Sequence, residues 1–275
     1  MYSRFSQYAL FAATAVLSAV CGLQAQEPRP LHAAVYCVKA LPGKAVEYEQ
    51  FVTGVWRRVV QVRLDARRIS GWTFSRAVTP AGEEARCDYL TTYFYEGPPP
   101  ALEDTLSADL KKAGLGMTAA ELVARRGALS RLVVHERAVR AAGYGATGKG
   151  EFWQVNFMKP LPGKGAEFME FERNVYMPLS HEAARSGHPR KAWGAWQILY
   201  PSGTGMAYDA VTVDVFRDWD SIWKVQTFPK EVVERVFPGR TLGELMAPLA
   251  GLRNLVRREL YVVVDTLSSA PGKSP

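Results

Sequence analysis

The sequence predicts an α+β protein made of two similar halves, each with the element order β-α-β-β-α-β. The first observation is a near repeat of thirteen residues, KALPGKAVEYEQF at 39–51 and KPLPGKGAEFMEF at 159–171. The second is that later landmarks of the two halves align in the same order. The third is the segment AAGYGATGKG at 141–150, whose four glycines are typical of a flexible linker between two units.

Three further stretches align between the halves and extend the repeat over most of the chain. They are Gly71-Trp72 with Ala192-Trp193, CDYLTTYFYE (87–96) with YDAVTVDVFR (208–217), and TAAELVARRGALSRLVVHE (118–136) with TLGELMAPLAGLRNLVRRE (241–259). The spacing between these landmarks drifts only slightly, as small loop insertions would cause. A period this long exceeds that of solenoid repeats and predicts two duplicated domains.

Each half begins with a strand and a helix. The predicted first strands are Ala34–Ala40 and Phe152–Met158, and in both halves the tripeptide PGK then turns the chain into a helix. Apolar residues recur at helical spacing after each turn. They are Tyr48, Phe51, Val52, Val55, Val59 and Val62 in the first half, and Phe168, Phe171, Val175 and Leu179 in the second.

The remaining elements complete the same pattern in both halves. Two strands joined by a turn are predicted at Trp72–Val78 and Cys87–Tyr95, and again at Trp193–Tyr200 and Ala210–Phe216. One or more helices follow, and a last strand, Leu132–Val139 or Leu255–Val264, ends each half. This order is that of the split βαβ, or ferredoxin-like, unit.

In these elements and in the PGK turn, the chain resembles the dimeric α+β barrel superfamily, over residues 32–140 and 151–265. In that superfamily two ferredoxin-like units pack sheet to sheet, usually as a homodimer. The resemblance implies that this single chain supplies both units and closes the barrel alone, as a monomer. Superfamily members include cofactor-independent and haem-degrading monooxygenases, chlorite dismutase-like proteins and muconolactone isomerases, and no motif here selects among them.

The N-terminus reads as a secretory signal peptide. Arg4 precedes an apolar run and a small residue, Ala25, where cleavage is expected. A lipoprotein signal using Cys21 and an uncleaved anchor are the alternatives. The predicted organisation is therefore a signal peptide at 1–25, repeats at 26–140 and 151–267 with the linker at 141–150 between them, and a disordered tail at 268–275. The predicted location is periplasmic or extracellular.

Charge and cysteine content narrow the function classes. The chain is basic, with a formal net charge of +7, but its Lys and Arg residues form no block interleaved with aromatic residues, so a nucleic-acid partner is not expected. Cys37 and Cys87 remain after cleavage, and either a disulfide or two buried thiols fits them. Two cysteines without a histidine motif do not make a zinc site, and no metal is expected.

Strand alternation suggests which side chains meet inside the barrel. If helices cover the apolar strand faces, the mixed faces point inward. The candidate ligand-binding residues on those faces are Tyr36, Tyr93, Glu136, Gln154, Asn156, Asp214, Glu259 and Tyr261. Two interpretations stay open: the groups satisfy one another across the interface, or they line a pocket capable of acid–base chemistry.

The cleft between sheet and helices of the second half is the other candidate site. His181 ends the first helix there and aligns with Gln61 of the first half. A haem would need an axial His, Cys or Tyr, and His181 is the candidate, whereas a surface or capping histidine is the simpler interpretation. The aromatic-rich second half also holds five of the seven tryptophans.

These observations predict an exported protein that binds a small, partly apolar molecule, with no cofactor required by any motif. Familiar catalytic patterns such as GxSxG, HExxH and the Walker sequence are absent from the sequence. One alternative is a monooxygenase-like or haem-using enzyme. The other is a non-catalytic protein that acts through a partner. The catalytic residues stay unassigned at this stage.

Overall fold

The computed structural model describes residues 30–100, 105–224 and 227–269. The signal peptide predicted at 1–25 lies outside the described residues, as does the tail predicted at 268–275 except for its first two residues. No described helix is both long enough and apolar enough to cross a membrane.

Eight antiparallel strands form one closed barrel in the described part of the chain. The strands are β1 (Leu31–Ala40), β2 (Gly71–Thr79), β3 (Tyr89–Glu96), β4 (Ser130–Tyr144), β5 (Phe152–Pro160), β6 (Arg190–Tyr200), β7 (Ala210–Phe216) and β8 (Arg253–Ser268). Their order around the barrel is β1-β3-β2-β8-β5-β7-β6-β4.

Each half contributes four neighbouring strands in the order last-first-third-second, which is the ferredoxin-like order. The halves join where β2 pairs with β8 and where β4 pairs with β6. Both outer strands of each half are thereby hydrogen-bonded to the other half, which removes the free edges that two separate sheets would have. The predicted α+β fold, with two ferredoxin-like units closed into a barrel within one chain, is confirmed.

Helices cover the outer surface of the barrel. They are α1 (Ala45–Gln50), α2 (Arg57–Asp65), α3 (Leu106–Lys112) and α4 (Ala119–Gly127) in the first half, and α5 (Gly165–Phe171), α6 (Met177–Arg185), α7 (Trp219–Lys224), α8 (Lys230–Val236) and α9 (Leu242–Met246) in the second. A π-helical segment joins α1 to α2 (Phe51–Trp56) and α5 to α6 (Glu172–Tyr176). Single-turn 3₁₀ helices lie at Gly82–Glu84 and Ala247–Gly251.

The repeated PGK is a turn followed by the start of a helix, as predicted. Gly43 and Gly163 have φ angles of 74° and 76°, in the left-handed region that glycine adopts without a Cβ clash. Lys44 and Lys164 then occupy the N-cap positions of α1 and α5. The thirteen-residue repeat is therefore explained by a turn and a helix start in each half.

Most side chains of the barrel interior are apolar, which corrects the expected direction of several strand faces. Val213 and Val215 face the interior with side chains from both halves, whereas Asp214 between them lies under the helices. The interior is enclosed by strands on all sides, so it offers apolar side chains the most complete removal from water. Polar side chains of β5 and β7 instead meet a cavity on the helical side.

The predicted linker 141–150 is shorter in the structure. Residues 141–144 continue β4 and pair with β6, where Gly143 lies opposite Gly194 and Tyr144 opposite Trp193. A Cβ at Gly143 would come within 2.8 Å of the Trp193 carbonyl oxygen. The glycine at position 143 is therefore explained by the close approach of β4 and β6 rather than by flexibility.

Cys37 and Cys87 form a disulfide, which decides between the two alternatives left open by the sequence. Cys37 lies in β1, and Cys87 lies two residues before β3. Their Cα atoms are 5.2 Å apart, within the usual range for a disulfide. Both residues are fully buried against the apolar interior.

Candidate functional site in the cleft of the second half

A cavity of about 300 Å³ lies between the sheet and the helices of the second half. Strands β5, β7 and β8 form one wall, the π-helical segment forms another, and apolar side chains from α7 to the 3₁₀ helix at Ala247–Gly251 close it. Its polar lining residues are Gln154, Asn156, Glu172, Tyr176, His188, Arg190, Thr212, Asp214, Thr227, Arg253 and Arg258. Cavities of this size accommodate small organic molecules.

Asp214 and Arg190 form a buried ion pair at the strand wall. Asp214 Oδ1 is 2.6 Å from Arg190 Nε, and both side chains are under a tenth exposed. Asn156 Nδ2 and Gln154 Nε2 donate hydrogen bonds to Asp214 Oδ2, at 3.0 and 3.2 Å. The carboxylate is therefore held by one cation and two amides, which fixes its position.

Glu172 is a buried carboxyl group of the cleft with an unpartnered oxygen. It is only 2% exposed, and its Oε2 atom has no hydrogen-bond partner among the described residues. Burial raises the pKa of Glu172 to about 8, and the nearby Asp214 carboxylate adds to the rise against the opposing effect of Arg253 and Arg190. At neutral pH the group is therefore mostly a neutral carboxylic acid that can donate a proton.

The rest of the cleft carries an excess of positive charge. Arg190 is balanced by Asp214, but no carboxylate lies within ion-pair distance of Arg253 or Arg258 in the described part of the chain. Arg258 Nε donates to Asn156 Oδ1 at 2.7 Å, and Arg253 Nε has no hydrogen-bond partner there. Because Glu172 is neutral, the cleft has two unneutralised guanidinium groups.

Two aromatic rings of the cleft pack against the Arg190 guanidinium. Its guanidinium carbon lies 5.5 Å from the centre of the Tyr176 ring and 5.4 Å from that of Phe228. Burial strongly raises the pKa of the Tyr176 hydroxyl, which stays neutral at physiological pH. Burial lowers the pKa of His188, and the neighbouring Arg190 lowers it further, so this imidazole is neutral at pH 7.

The same positions of the first half are filled by apolar and aromatic side chains. Asn156 and Thr212 pair in register as Tyr36 and Thr91 do. The sequence repeat then matches the following residues: Val52 with Glu172, Trp56 with Tyr176, Ile69 with Arg190, and Tyr93 with Asp214. Val52, Ile69 and Tyr93 belong to the apolar core of that half, and Trp56 packs against this core and donates a hydrogen bond to the Tyr93 hydroxyl.

The predicted site residues fall into three separate groups. Gln154, Asn156 and Asp214 line the cleft of the second half. Tyr36 and Tyr93 face the helices of the first half, where their rings contact each other edge to face with centroids 5.8 Å apart. Only the third group, Glu136, Glu259 and Tyr261, points into the barrel as expected.

The third group is a buried polar network at one end of the barrel. Glu136 accepts hydrogen bonds from Arg86 and from the Tyr208 hydroxyl. Glu259 accepts one from Tyr261 and forms an ion pair with Arg257. Arg86 Nε has no hydrogen-bond partner among the described residues, but each carboxylate has one arginine and one tyrosine hydroxyl as partners. This favours the structural interpretation for Glu136, Glu259 and Tyr261.

Sequence reasoning missed Glu172, Arg190, Arg253 and Arg258. A signal was available for the first two, because each carries a charge where the other half has an apolar residue, Val52 or Ile69. Glu172 also stands four residues after Phe168, on the helix face that packs against the sheet. A charge at such a position indicates a polar cavity.

His181 lies outside both cavities described in this structure. It is exposed, and its ring contacts Tyr144 at 4.9 Å between centroids. His188 does line the cleft, but its Nδ1 accepts from the Arg190 backbone N–H and it also bonds the Thr227 backbone. Neither histidine is placed to ligate haem iron, so the described residues do not fit a haem held by His181.

Comparisons with known proteins identify the fold and no more. No protein-family model matches the sequence, and no curated protein matches it. A "putative monooxygenase" of Fusobacterium nucleatum subsp. nucleatum superposes with a TM-score of 0.52 at 9% identity, covering 88% of this chain and 95% of that one. One of the same description from Lactobacillus acidophilus gives 0.50 at 8% identity, covering 87% and 96%. At these identities the two likenesses show a shared fold.

Proposed function

We propose that this protein is a monooxygenase-like enzyme whose substrate is a small, partly apolar organic acid bound in the cleft of the second half. The observation that carries the proposal is Glu172, a buried carboxylic acid with an unpartnered oxygen in a cationic cavity. Its pKa of about 8 is close to physiological pH, where a side chain both donates and accepts protons effectively. The fold it shares with two proteins of monooxygenase description supports the reaction class.

The charge of the cleft supports an anionic substrate. Arg253 and Arg258 lack carboxylate partners, so an entering carboxylate would gain two charge-assisted hydrogen bonds without breaking an existing ion pair. The opposite wall is apolar, with Phe228, Met246 and Leu249. A molecule with a carboxylate at one end and an apolar or aromatic body at the other satisfies both walls.

Binding is tested with benzoate against benzamide, which has the same shape without the charge. Isothermal titration should show benzoate binding more tightly by about tenfold, the equivalent of one charge-assisted hydrogen bond. Arg253→Gln should weaken that preference, and Arg253→Gln/Arg258→Gln should abolish it. Arg185→Gln is the matched control, because Arg185 is exposed on α6 and pairs with Glu182 outside the cavity. Equal binding of both ligands to the unaltered protein would refute the anionic site.

Catalysis is tested by oxygen uptake with hydroxybenzoates of increasing electron density, without added cofactor. Glu172→Gln keeps the shape of the side chain and removes its proton transfer. We expect turnover to fall by roughly 100-fold or more while benzoate affinity changes little. Oxygen uptake that is unaltered in Glu172→Gln would exclude Glu172 as the acid or base. If no substrate supported oxygen uptake, the protein would be a binding protein and not a monooxygenase.

We also infer that the protein is exported and acts as a monomer. The pattern of residues 1–25 supports export, and the disulfide suits an oxidising compartment. Pairing of both outer strands of each half within one chain supports the monomer. Mass spectrometry of the secreted chain should give an N-terminus near Gln26, and sedimentation should give a single-chain mass.

A further inference from the structure

A second cavity, of about 360 Å³, lies inside the barrel. It is separate from the cleft because the two cavities lie on opposite faces of the same strands. Val155 and Val213 line the barrel cavity, whereas Gln154, Asn156 and Asp214 line the cleft. The apolar side chains of the barrel cavity come from both halves, and include Val35, Leu90, Phe94, Trp153, Trp196 and Val211.

The barrel cavity reaches solvent at one end. Its lining there consists of residues at strand ends: Leu31 and Gly71 begin β1 and β2, and Glu96 and Ser268 end β3 and β8. From Trp153 near this end, the inward-facing residues of β5 run to Phe157, a depth of roughly 13 Å at the rise of a strand. The cavity is therefore a pocket within the barrel with one open end.

Buried polar groups and the disulfide close the other end. Arg86 donates to Glu136 and Tyr208, and its guanidinium carbon lies 4.8 Å from the centre of the Phe157 ring. The Cys37–Cys87 disulfide lies beside this group, since Cys87 follows Arg86 directly. The Arg86–Glu136 ion pair leaves no net charge at the closed end, and the other charged lining residues, Arg140 and Glu96, are exposed at the open end. A charged ligand would therefore lose hydration inside the pocket without finding an unpaired partner there.

We propose that the interior of the barrel is a second ligand site, specific for an uncharged, apolar molecule of up to three aromatic rings. Aromatic side chains line it, including Phe94 and Trp196, whose ring centroids are 5.8 Å apart. An apolar cavity of about 150 Å³ suffices to bind benzene in another protein, and this one is more than twice as large. The site is independent of the proposed function, because it uses opposite strand faces and the opposite ligand chemistry.

The test uses N-phenyl-1-naphthylamine, an uncharged fluorescent probe. Trp153 and Trp196 line the barrel cavity and should transfer energy to a probe bound there. Because Trp193 contacts Tyr176 of the cleft, with ring centroids 5.2 Å apart, the position of the probe is assigned by competition and by the filled variants. The probe should bind saturably at one molecule per chain. Benzoate, the ligand of the cleft, should not displace it. Displacement by benzoate, or an absence of saturable binding, would overturn the proposal.

Filling the pocket gives the second readout. Val213→Phe places extra volume in the cavity and should weaken probe binding by about tenfold or more. Val35→Phe fills the same cavity from the first half of the chain. This variant replaces Val213→Phe in the test if Val213→Phe does not fold. Val123→Phe, on the exposed surface of α4, is the matched control and should bind the probe normally. Unchanged binding in a folded filled variant would place the probe elsewhere and refute the proposal.

Discussion

Glu172 and Asp214 show how a few residues change the chemistry of one half of a symmetrical architecture. Their counterparts Val52 and Tyr93 are packed in the core of the first half. A buried charge or an unpaired carboxyl costs stability that a valine does not, so the second half sacrifices stability at these positions. Such a cost is expected where a protein binds or transforms a ligand.

Glu172 should make stability depend on pH in a defined direction. Its pKa is about 8 in the folded protein and near 4.5 when exposed, so between these values the folded state holds a proton that the unfolded state has lost. The free energy of unfolding should therefore fall as pH rises from about 4.5 to about 8, by at most about 1.4 kcal/mol per pH unit from this group. Glu172→Gln should remove this contribution.

Urea denaturation of both proteins at pH 5, 6.5 and 8 measures the effect. The stability of Glu172→Gln relative to the unaltered protein should increase with pH. Glu167→Gln, on the exposed side of α5, is the control whose pH profile should parallel that of the unaltered protein. A constant difference between Glu172→Gln and the unaltered protein would mean that Glu172 is charged at neutral pH.

The sequence was a good guide to which residues are unusual and a poor guide to where they point. The sequence predicts Asp214 and Asn156 as site residues, and both line the cleft. Alternation along β7 defines two faces but does not specify which face the barrel encloses, because closure depends on strands from both halves. The chemistry of His181 suggests a ligand, but its position near the end of a helix leaves it on the surface.

At the scale of elements, the two halves begin corresponding helices in the same way. Thr118 caps α4, and Thr241 caps α9. In each case the threonine hydroxyl accepts from the backbone N–H three residues on, and a glutamate there accepts from the threonine backbone N–H. This reciprocal pair satisfies two N–H groups that a helix start leaves without partners.

Replacing either cap should destabilise the protein by a similar amount. Thr118→Ala and Thr241→Ala each remove the accepting hydroxyl and should lower the free energy of unfolding by about 1 kcal/mol. Thr118→Ser and Thr241→Ser retain an acceptor and should lose much less. Chemical denaturation of the four variants measures this. Equal loss in the serine and alanine variants would show that the threonine methyl group matters rather than the hydroxyl.

The order and type of the strands were predictable because their apolar residues alternate, whereas two features of the elements were not. The π-helical segments share the helical spacing of their neighbours, so the pattern Phe168, Phe171, Val175 gave no sign of them. The extension of β4 to Tyr144 was hidden by glycines that usually mark a loop. Strand pairing with β6 overrides that local preference.

At the scale of the whole molecule, closure of the barrel depends on pairing between the halves. The β2–β8 and β4–β6 ladders join segments far apart in sequence, and nothing in local periodicity specifies them. The resemblance to two-unit barrels predicted that the halves would close, and the structure agrees. The Cys37–Cys87 disulfide acts within the first half, where it ties β1 to the segment before β3.

Reducing this disulfide should lower the stability of the whole barrel. It joins residues 50 positions apart, and the loop-entropy model gives about 4 kcal/mol for a crosslink of that span. The double variant Cys37→Ala/Cys87→Ala should lose a comparable amount in urea denaturation. It should also be insensitive to reductant, whereas the unaltered protein should approach its stability when reduced.

Probe binding to the double-alanine variant tests whether loss of the disulfide changes only the closed end of the barrel cavity or the structure of the whole protein. Because the disulfide lies at the closed end of the barrel cavity, a folded double-alanine variant should still bind N-phenyl-1-naphthylamine, with an altered affinity, while benzoate binding in the cleft stays unchanged. Equal stability with and without the disulfide would instead show that β1 and the segment before β3 are already held together by strand pairing and by the hydrogen bond from the Asp88 backbone N–H to the Val38 carbonyl.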